Sequence, residues 1–296
     1  MYIVDFFKGL VRKSNIPTIV YLILNVIIID FIIAFFFSLS VGEAFLWGLL
    51  LYVVSLTVAL SPVGEWILRF QTGCKKLKNQ EQIDRLQPLF QEIYISAKKK
   101  CPNLSDDIQL YISASKEANA FATGRRTVCV TEGLLLLSDE EIKAVLAHEF
   151  GHLAHKDTDV ILVISVGNLV ISIVITIIRI IFIMIRWIGM IISFFSRGDG
   201  ILAGFLINLS GLLMMIMVNG GMWLWTQLGV LLVMKSSRDN EYEADAFAFQ
   251  LGYGDYLCEA LGNICGEEEH GLFASLASSH PEKSARIRRL QELKIR

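Results

Sequence analysis

The sequence predicts a mainly α-helical membrane protein in which four transmembrane helices accompany an α+β domain outside the membrane. Of its 296 residues, 54% are hydrophobic and only 19% are charged, whereas soluble domains carry about a quarter of charged residues. The apolar residues are concentrated in long blocks, as they are in membrane-spanning helices. In the segments between the blocks, apolar residues recur with the spacing of amphipathic helices or alternate as in strands. This pattern indicates a domain outside the membrane.

The first predicted unit, residues 1–69, is a membrane hairpin with spans at about 16–37 and 45–66. Each block has about 20 residues, enough for one crossing at a rise of about 1.5 Å per residue. Lysines and arginines flank the pair but are absent from the link between the blocks. The positive-inside rule therefore places the N-terminus and the residues after the hairpin in the cytoplasm. Asp30, within the first block, should face neighbouring helices or water, because a charge that faces lipid is costly.

Residues 70–156 form the first part of the predicted cytoplasmic domain. Helical periodicity over 79–101 and alternation over 108–114 predict a helix and a strand. Two short strands around Gly124 predict a hairpin. Residues 138–141 have the sequence Ser-Asp-Glu-Glu, a capping box that predicts the start of another helix.

Residues 157–235 form a second predicted membrane hairpin. Its first block begins near Asp159, and its second block runs from about 201 to 234. Arginines interrupt the first of these blocks, so its helix either leaves the bilayer near Arg179 or is long and tilted. Two crossings return the chain to the cytoplasm, and residues 236–296 are therefore expected to complete the cytoplasmic domain.

A metal site is predicted on the helix that the capping box begins. His148 and His152 lie one turn apart on one helix face, so both imidazoles can bind a single zinc ion. Glu149 would point at the water that the metal polarises and would act as the general base. Zinc in hydrolases usually has three protein ligands, and Glu241, on an acidic helix expected just after the fourth block, is the predicted third.

The residues around this motif are assigned by helix face. Asp245 shares a face with Glu241 and could accept the distal N–H of a ligand histidine. Glu243 points away and is expected to be a solvated surface charge. His155 is expected to be a polar residue at the helix end. In the pattern that uses a third zinc-binding histidine, that histidine follows the second by six residues, a position that is threonine here.

These motifs together resemble the HtpX family of membrane proteases and, more distantly, the type I CAAX prenyl proteases. The resemblance is carried by HEFGH at 148–152, NAFATG at 119–124, SRDNEYEAD at 237–245 and the late pair His280-Pro281, and it extends over essentially the whole chain. It implies a zincin-like cytoplasmic domain with one Zn²⁺ per chain. It also implies a zinc endopeptidase of membrane-protein quality control that acts on unfolded or membrane proteins.

The resemblance further implies roles that the spacing alone does not assign. An extended substrate would add to an edge strand formed by Asn119, Ala120, Phe121, Ala122 and Thr123. His280 would donate a hydrogen bond to the oxyanion, and Arg286 would help to steady the tetrahedral intermediate. The residues alone are also compatible with an ordinary hairpin strand and with His280 at the surface.

Two other function classes fit parts of the pattern. A CAAX-type enzyme that processes one prenylated substrate would be expected to have more than four spans. A non-enzymatic membrane scaffold or chaperone would have no use for a general base at Glu149. The net charge of -2 gives no reason to expect a nucleic-acid partner. The expected partners are the bilayer and protein substrates, and the sequence leaves open whether copies associate with each other or with other membrane proteases.

Overall fold

The structure is a computed structural model that describes residues 6–7, 16–37, 39–166, 169–195, 199–263 and 283–295. In chain order its main elements are α1 (Ile16–Phe37), α2 (Val41–Ala59), α3 (Pro62–Gln71), β1 (Lys75–Lys76), α4 (Gln80–Lys100), β2 (Gln109–Ser113), β3 (Ala120–Thr123), β4 (Thr127–Thr131), a 3₁₀ turn (Glu132–Leu136), α5 (Asp139–His155), α6 (Thr158–Ser165), α7 (Leu169–Phe195), α8 (Asp199–Gln250), α9 (Gly254–Asn263) and α10 (Lys283–Ile295). The fold is therefore mostly helical with one small sheet, as expected.

Three helical segments in the described part of the chain are long and apolar enough to cross a membrane. They are Val41–Ala59, Ile175–Phe195 and Ile201–Trp225. The span expected at 16–37 corresponds to α1, whose described apolar stretch, Thr18–Phe31, is shorter. Length and composition therefore identify three of the four expected crossings.

The second predicted span, 45–66, is divided between two helices. α2 ends at Ala59, and the Ser61 side chain caps a new helix that begins with Pro62. Proline suits the first helical position, since it lacks the N–H that would be unsatisfied there. Trp66 therefore lies on α3, outside the span to which the apolar pattern had assigned it.

The fourth apolar block and the acidic segment after it form one helix. The expected acidic helix after the fourth span is wrong as a separate element, because α8 is continuous from Asp199 to Gln250. The predicted domain boundary at 235/236 lies inside this helix. Residues 235–250 contain neither glycine nor proline, so nothing in the chain ends the helix at the change from apolar to polar residues. α7 likewise continues through Arg179.

Buried polar contacts join α1 to the candidate membrane helices α2 and α8. Asn25 on α1 donates to the Tyr52 hydroxyl on α2 (3.1 Å) and accepts from the Trp225 indole on α8 (3.1 Å). The Tyr21 ring stacks on Trp225 with centroids 5.4 Å apart. Asp30 lies directly against Gly48, so its carboxylate faces α2. The first hairpin therefore packs against the long helix that leads to the extramembrane domain.

The domain predicted to lie outside the membrane is built on a sheet that has the order β1-β2-β4-β3 in the described residues. β2 and β4 are parallel, whereas β3 and β4 form the expected antiparallel hairpin. Gly124 in its turn has a φ of +61°, a conformation that glycine adopts at little cost. β3 is an edge strand. The core lies between the sheet and α4 and α5, where the Phe90 and Phe150 rings are 5.5 Å apart.

Candidate metal centre

Helix α5 begins at the predicted capping box. Ser138 and Glu141 form the predicted capping box, and three acidic residues occupy the first turn, where the helix dipole favours negative charge. The helix ends at Lys156, which has a φ of +63°. Between these ends, His148 and His152 lie on one face, and their ring centroids are 4.8 Å apart.

Three side chains converge at the centre of the site. The Nε2 atoms of His148 and His152 are 3.2 Å apart. Glu241 places one carboxylate oxygen 3.4 Å from the His148 Nε2 and the other 3.4 Å from the His152 Nε2. His148 and Glu241 are buried, and His152 is half-buried. The predicted third ligand thus lies with the two histidines, although two candidate membrane spans separate it from them in the chain.

This arrangement fits a zinc ion. Ligand atoms about 2.0–2.1 Å from a tetrahedral centre lie roughly 3.4 Å from one another. The separations of 3.2, 3.4 and 3.4 Å are close to this value, with the two carboxylate distances ending on different oxygens of Glu241. One ligand atom from each of the three side chains lies within 4.8 Å of the other two, which is close enough for all three to reach a single ion. Two imidazoles and one carboxylate are also a known ligand set of catalytic zinc, in which the fourth position stays open.

Close packing of α5 on α8 brings Glu241 to the histidines. A Cβ atom on Gly151 would lie 2.8 Å from the Cα of Ala244, so only glycine permits this approach. Ala244 and Ala248 are fully buried on the facing side of α8. The small residues on both helices therefore set the distance between the two halves of the ligand set.

Asp245 lies behind His148, one turn beyond Glu241. Its Oδ1 is 2.9 Å from the His148 Nδ1, so the ring can bind a metal through the opposite nitrogen. Arg286 on α10 donates to both carboxylate oxygens of Asp245, from Nε over 2.8 Å and from Nη2 over 2.6 Å. Burial alone would raise the pKa of Asp245, but the hydrogen bonds from Arg286 and His148 hold it at about 2.

Arg286 is itself buried, and it contacts the ligands as well as Asp245. Its Nη1 is 3.4 Å from the Glu241 Oε2, and its Nη2 is 3.4 Å from the His148 Nδ1. The structure therefore places Arg286 behind the predicted ligands. Its interactions with Asp245 and Glu241 suit the positioning of these side chains.

Asp157 was not identified from the sequence. Its Oδ2 is 3.2 Å from the His152 Nδ1, the same relation that Asp245 has to His148. The left-handed turn at Lys156 folds the chain back, and the Asp157 N–H donates to the carbonyl of His152. Burial opposes protonation of His152, but the nearby carboxylates of Glu241 and Asp157 raise its pKa. An acidic residue just after the expected helix end was the available signal.

The predicted base lies between the ligands and the edge strand. Glu149 is buried, and its Oε2 accepts the backbone N–H of Ala122 over 2.8 Å. On the same strand, the Asn119 carbonyl accepts the Thr131 N–H, so Asn119 faces β4. Backbone directions alternate in an antiparallel pair, and the N–H groups of Ala120 and Ala122 therefore point away from β4. The backbone N–H and C=O groups of Phe121 and Thr123 point towards β4.

His155 and Glu243, which were not predicted to bind the metal, contact each other. The His155 Nε2 is 3.9 Å from the Glu243 carboxylate, whose side chain is 54% exposed, as expected for a surface charge. His280 lies outside the described residues. The structure therefore brings together His148, Glu149, His152, Glu241, Asp245, Arg286 and the strand 119–123.

Comparison with known proteins identifies a family for the chain. Residues 80–294 match peptidase family M48. The chain is 30% identical over 214 residues to the "Protease HtpX homolog" of Sulfurovum sp. (strain NBC37-1), covering 62% of this chain and 69% of that protein. It is 27% identical over 283 residues to the homolog of Bacillus licheniformis, covering 89% and 86%. The crystal structure of S. mikatae Ste24p covers 98% of this chain at 22% identity and a TM-score of 0.42, and the chain spans 65% of that protein.

Proposed function

This chain belongs to peptidase family M48 as an HtpX-type metalloprotease, and we propose that it hydrolyses peptide bonds of misfolded or damaged membrane proteins at the cytoplasmic face of the membrane. The observation that carries the proposal is the convergence of His148, His152 and Glu241 on one point, with Glu149 buried beside them. This set of groups suits the hydrolysis of an amide bond by water.

The ligand set supports zinc as the proposed metal. His148, His152 and Glu241 would hold one Zn²⁺, which when bound supplies a Lewis acid that lowers the pKa of water and polarises a carbonyl. Asp245 and Asp157 orient the two imidazoles from behind, and Arg286 fixes Asp245 through two hydrogen bonds.

Glu149 carries the proton in this proposal. It accepts a proton from the attacking water and delivers it to the leaving amine, so no covalent intermediate with the protein is needed. Its carboxylate lies 2.8 Å from the N–H of Ala122, which keeps it beside the edge strand. His280 is proposed as the donor to the oxyanion, in agreement with the family resemblance.

The strand 119–123 is the proposed substrate-binding edge. Among the described residues β3 pairs with β4 alone, and Ala120 directs its N–H and C=O away from that partner. An extended peptide can add there through main-chain hydrogen bonds, which makes extension of the substrate more important than its sequence. Cleavage-site profiling on a denatured protein mixture tests this point. One strict consensus site would favour a dedicated CAAX-type processing enzyme instead.

The proposed location is the cell membrane, with several crossings and with the N-terminus, the metal centre and the C-terminus in the cytoplasm. The distribution of lysine and arginine supports this orientation. α8 supports a metal centre close to the bilayer, because one helix contains both the candidate span Ile201–Trp225 and Glu241. Labelling of cysteines introduced at Lys99 and Arg296 in intact and permeabilised cells tests it. Opposite exposure of the two positions would contradict the topology.

The test of the activity uses the full chain purified in detergent and loaded with zinc. The loaded protein is expected to cleave unfolded casein, and removal of the metal with a chelator should stop cleavage until zinc is restored. Zinc bound without any cleavage would instead favour the non-enzymatic scaffold or chaperone.

A further inference from the structure

Helix α3 presents an apolar face that is continuous with the first membrane hairpin. Val63, Trp66 and Phe70 follow one side of the helix and are 55%, 60% and 79% exposed. The Trp66 and Phe70 rings stack with centroids 6.2 Å apart. α3 begins directly after the candidate span that ends at Ala59. Aromatic side chains at this position are typical of helices that lie in the membrane interface.

The opposite face of α3 holds the turn of the β3–β4 hairpin. Glu65 is buried, and its Oε1 accepts the backbone N–H of Arg125 over 2.8 Å. Its carboxylate lies so close to Gly124 that a Cβ atom there would clash with it. Arg69 donates to the Thr127 hydroxyl over 2.8 Å. The interfacial helix and the hairpin turn therefore form one packed unit.

The second membrane hairpin holds the same turn from its other side. Arg125 forms a bidentate pair with Asp159 on α6, with N–O distances of 3.0 and 2.6 Å. The two side chains are only 11% and 2% exposed. The Thr158 hydroxyl donates to the carbonyl of Gly124. The turn is thus fixed between the two helices that lead to membrane spans.

This attachment gives the edge strand a direction relative to the bilayer. Thr123 lies at the membrane end of β3, next to the turn, and Asn119 lies at the far end. α8 independently indicates the same direction relative to the bilayer. It leaves the candidate span at Trp225, reaches Glu241 beside both histidines, and then reaches Asp245 behind His148. Since α5 ends next to α6, His152 is the ligand nearer to the membrane.

From these contacts, and resting on the proposed peptidase function, we propose that the substrate class is the extramembrane segment that directly follows a transmembrane helix. The N–H and C=O of Ala120 both point outward, so they can exchange two hydrogen bonds with a single residue of an added antiparallel strand. Antiparallel pairs are also slightly more stable than parallel ones. A peptide antiparallel to β3 has its N-terminal end at Thr123, beside the bilayer, and runs away from the membrane towards Asn119.

The experiment compares three substrates that carry one identical unfolded segment. In the first the segment follows a single transmembrane helix, in the second it precedes that helix, and in the third it is soluble. The linker is about five residues, which extends over roughly 17 Å. The full-length, zinc-loaded protein and each substrate are combined in lipid bicelles, where both membrane faces are accessible. Cleavage rates and cleavage sites are measured, with Glu149→Gln as the blank.

We expect kcat/KM for the segment after the helix to exceed that for the segment before it by about tenfold, as when one or two strand hydrogen bonds cannot form. The difference should vanish with a flexible linker of about 20 residues, because the second substrate can then turn back along β3. Equal rates at the short linker, or faster cleavage of the segment before the helix, would overturn the proposed direction. If none of the three substrates is cleaved, including the soluble one, the proposed peptidase function itself is wrong.

Discussion

The backbone N–H of Ala122 donates to the carboxylate of Glu149 over 2.8 Å, so the edge strand and the proposed base are in direct contact. The Ala122 N–H is therefore not available to hydrogen-bond a strand added at the outer edge of β3. A peptide bound at Ala120 therefore ends its strand pairing beside Glu149. We infer that the scissile bond lies where the pairing stops, because the base and the predicted ligands are at that point.

Replacement of Glu149 by glutamine should abolish hydrolysis and leave zinc bound. Glutamine keeps the shape of the side chain and can still accept the Ala122 N–H, but it cannot take a proton from water. Casein cleavage and metal content of the purified variant measure the two effects. Glu243→Gln, a change to an exposed acid on α8, is the matched control and should keep both. Cleavage by Glu149→Gln above a few per cent of the original rate would reject this base.

Replacement of Glu241 by glutamine should lower zinc occupancy together with activity, since it removes one of three ligands. Asp245→Asn should weaken zinc by about 10–100-fold, as is usual when the partner of a ligand histidine is changed. Competition with a chromophoric chelator gives both affinities. A larger loss for Glu243→Gln than for Glu241→Gln would show that the other face of α8 binds the metal.

The predicted ligands were accessible to sequence reasoning because helical spacing alone puts their side chains on common faces. The pair His148 and His152 and the pair Glu241 and Asp245 both follow this rule, and the structure joins the two faces. Asp157 was missed because its contact with His152 depends on a left-handed residue after the helix, and no periodicity predicts that turn.

The ends of the apolar helices were less predictable, because hydropathy carries no information on where the backbone starts or ends a helix. The apolar pattern continues through Ser61 and Pro62, where the helix in fact restarts, so Trp66 was placed in a span. Conversely, the pattern stops near Met234 while α8 continues as a helix. Helix continuity depends on caps and breakers, whereas hydropathy reports only the surroundings of the side chains.

Stability should fall in acid through the capping box of α5. Hydrogen bonds from the Ser138 hydroxyl and N–H lower the pKa of Glu141 from its ordinary value of 4.5. A carboxylate with a lowered pKa in the folded state stabilises the fold fully above its unfolded pKa, and this contribution is lost as the pH falls through the folded pKa. The difference in melting temperature between the unchanged protein and Glu141→Gln should therefore shrink as the pH falls below about 4.5. Ser138→Ala should reduce this dependence, and a difference that is constant with pH would contradict the assignment.

Replacement of Arg125 by glutamine should destabilise the protein by about 3–5 kcal/mol, because it breaks a buried bidentate pair with the carboxylate of Asp159. Arg126 is the matched control in the same turn. It pairs with Asp107 over 2.7 Å, but the two side chains are 40% and 52% exposed. Arg126→Gln should therefore cost at most about 1 kcal/mol. Urea unfolding of both variants in detergent gives the comparison, and equal losses would show that the Arg125 pair does not fix the hairpin turn.

Proline at Ala120 should impair substrate binding without loss of zinc. The N–H of Ala120 points away from β4, so its removal leaves the hairpin intact, and proline is tolerated on the outer side of an edge strand. The substrate loses one main-chain hydrogen bond, and KM should rise by about tenfold or less. Phe121→Pro is the contrasting variant, because its N–H faces β4 and its loss should lower the melting temperature. Ala122→Pro removes the donor to Glu149 and should reduce kcat as well. An unchanged KM in Ala120→Pro would mean that substrates bind elsewhere than on β3.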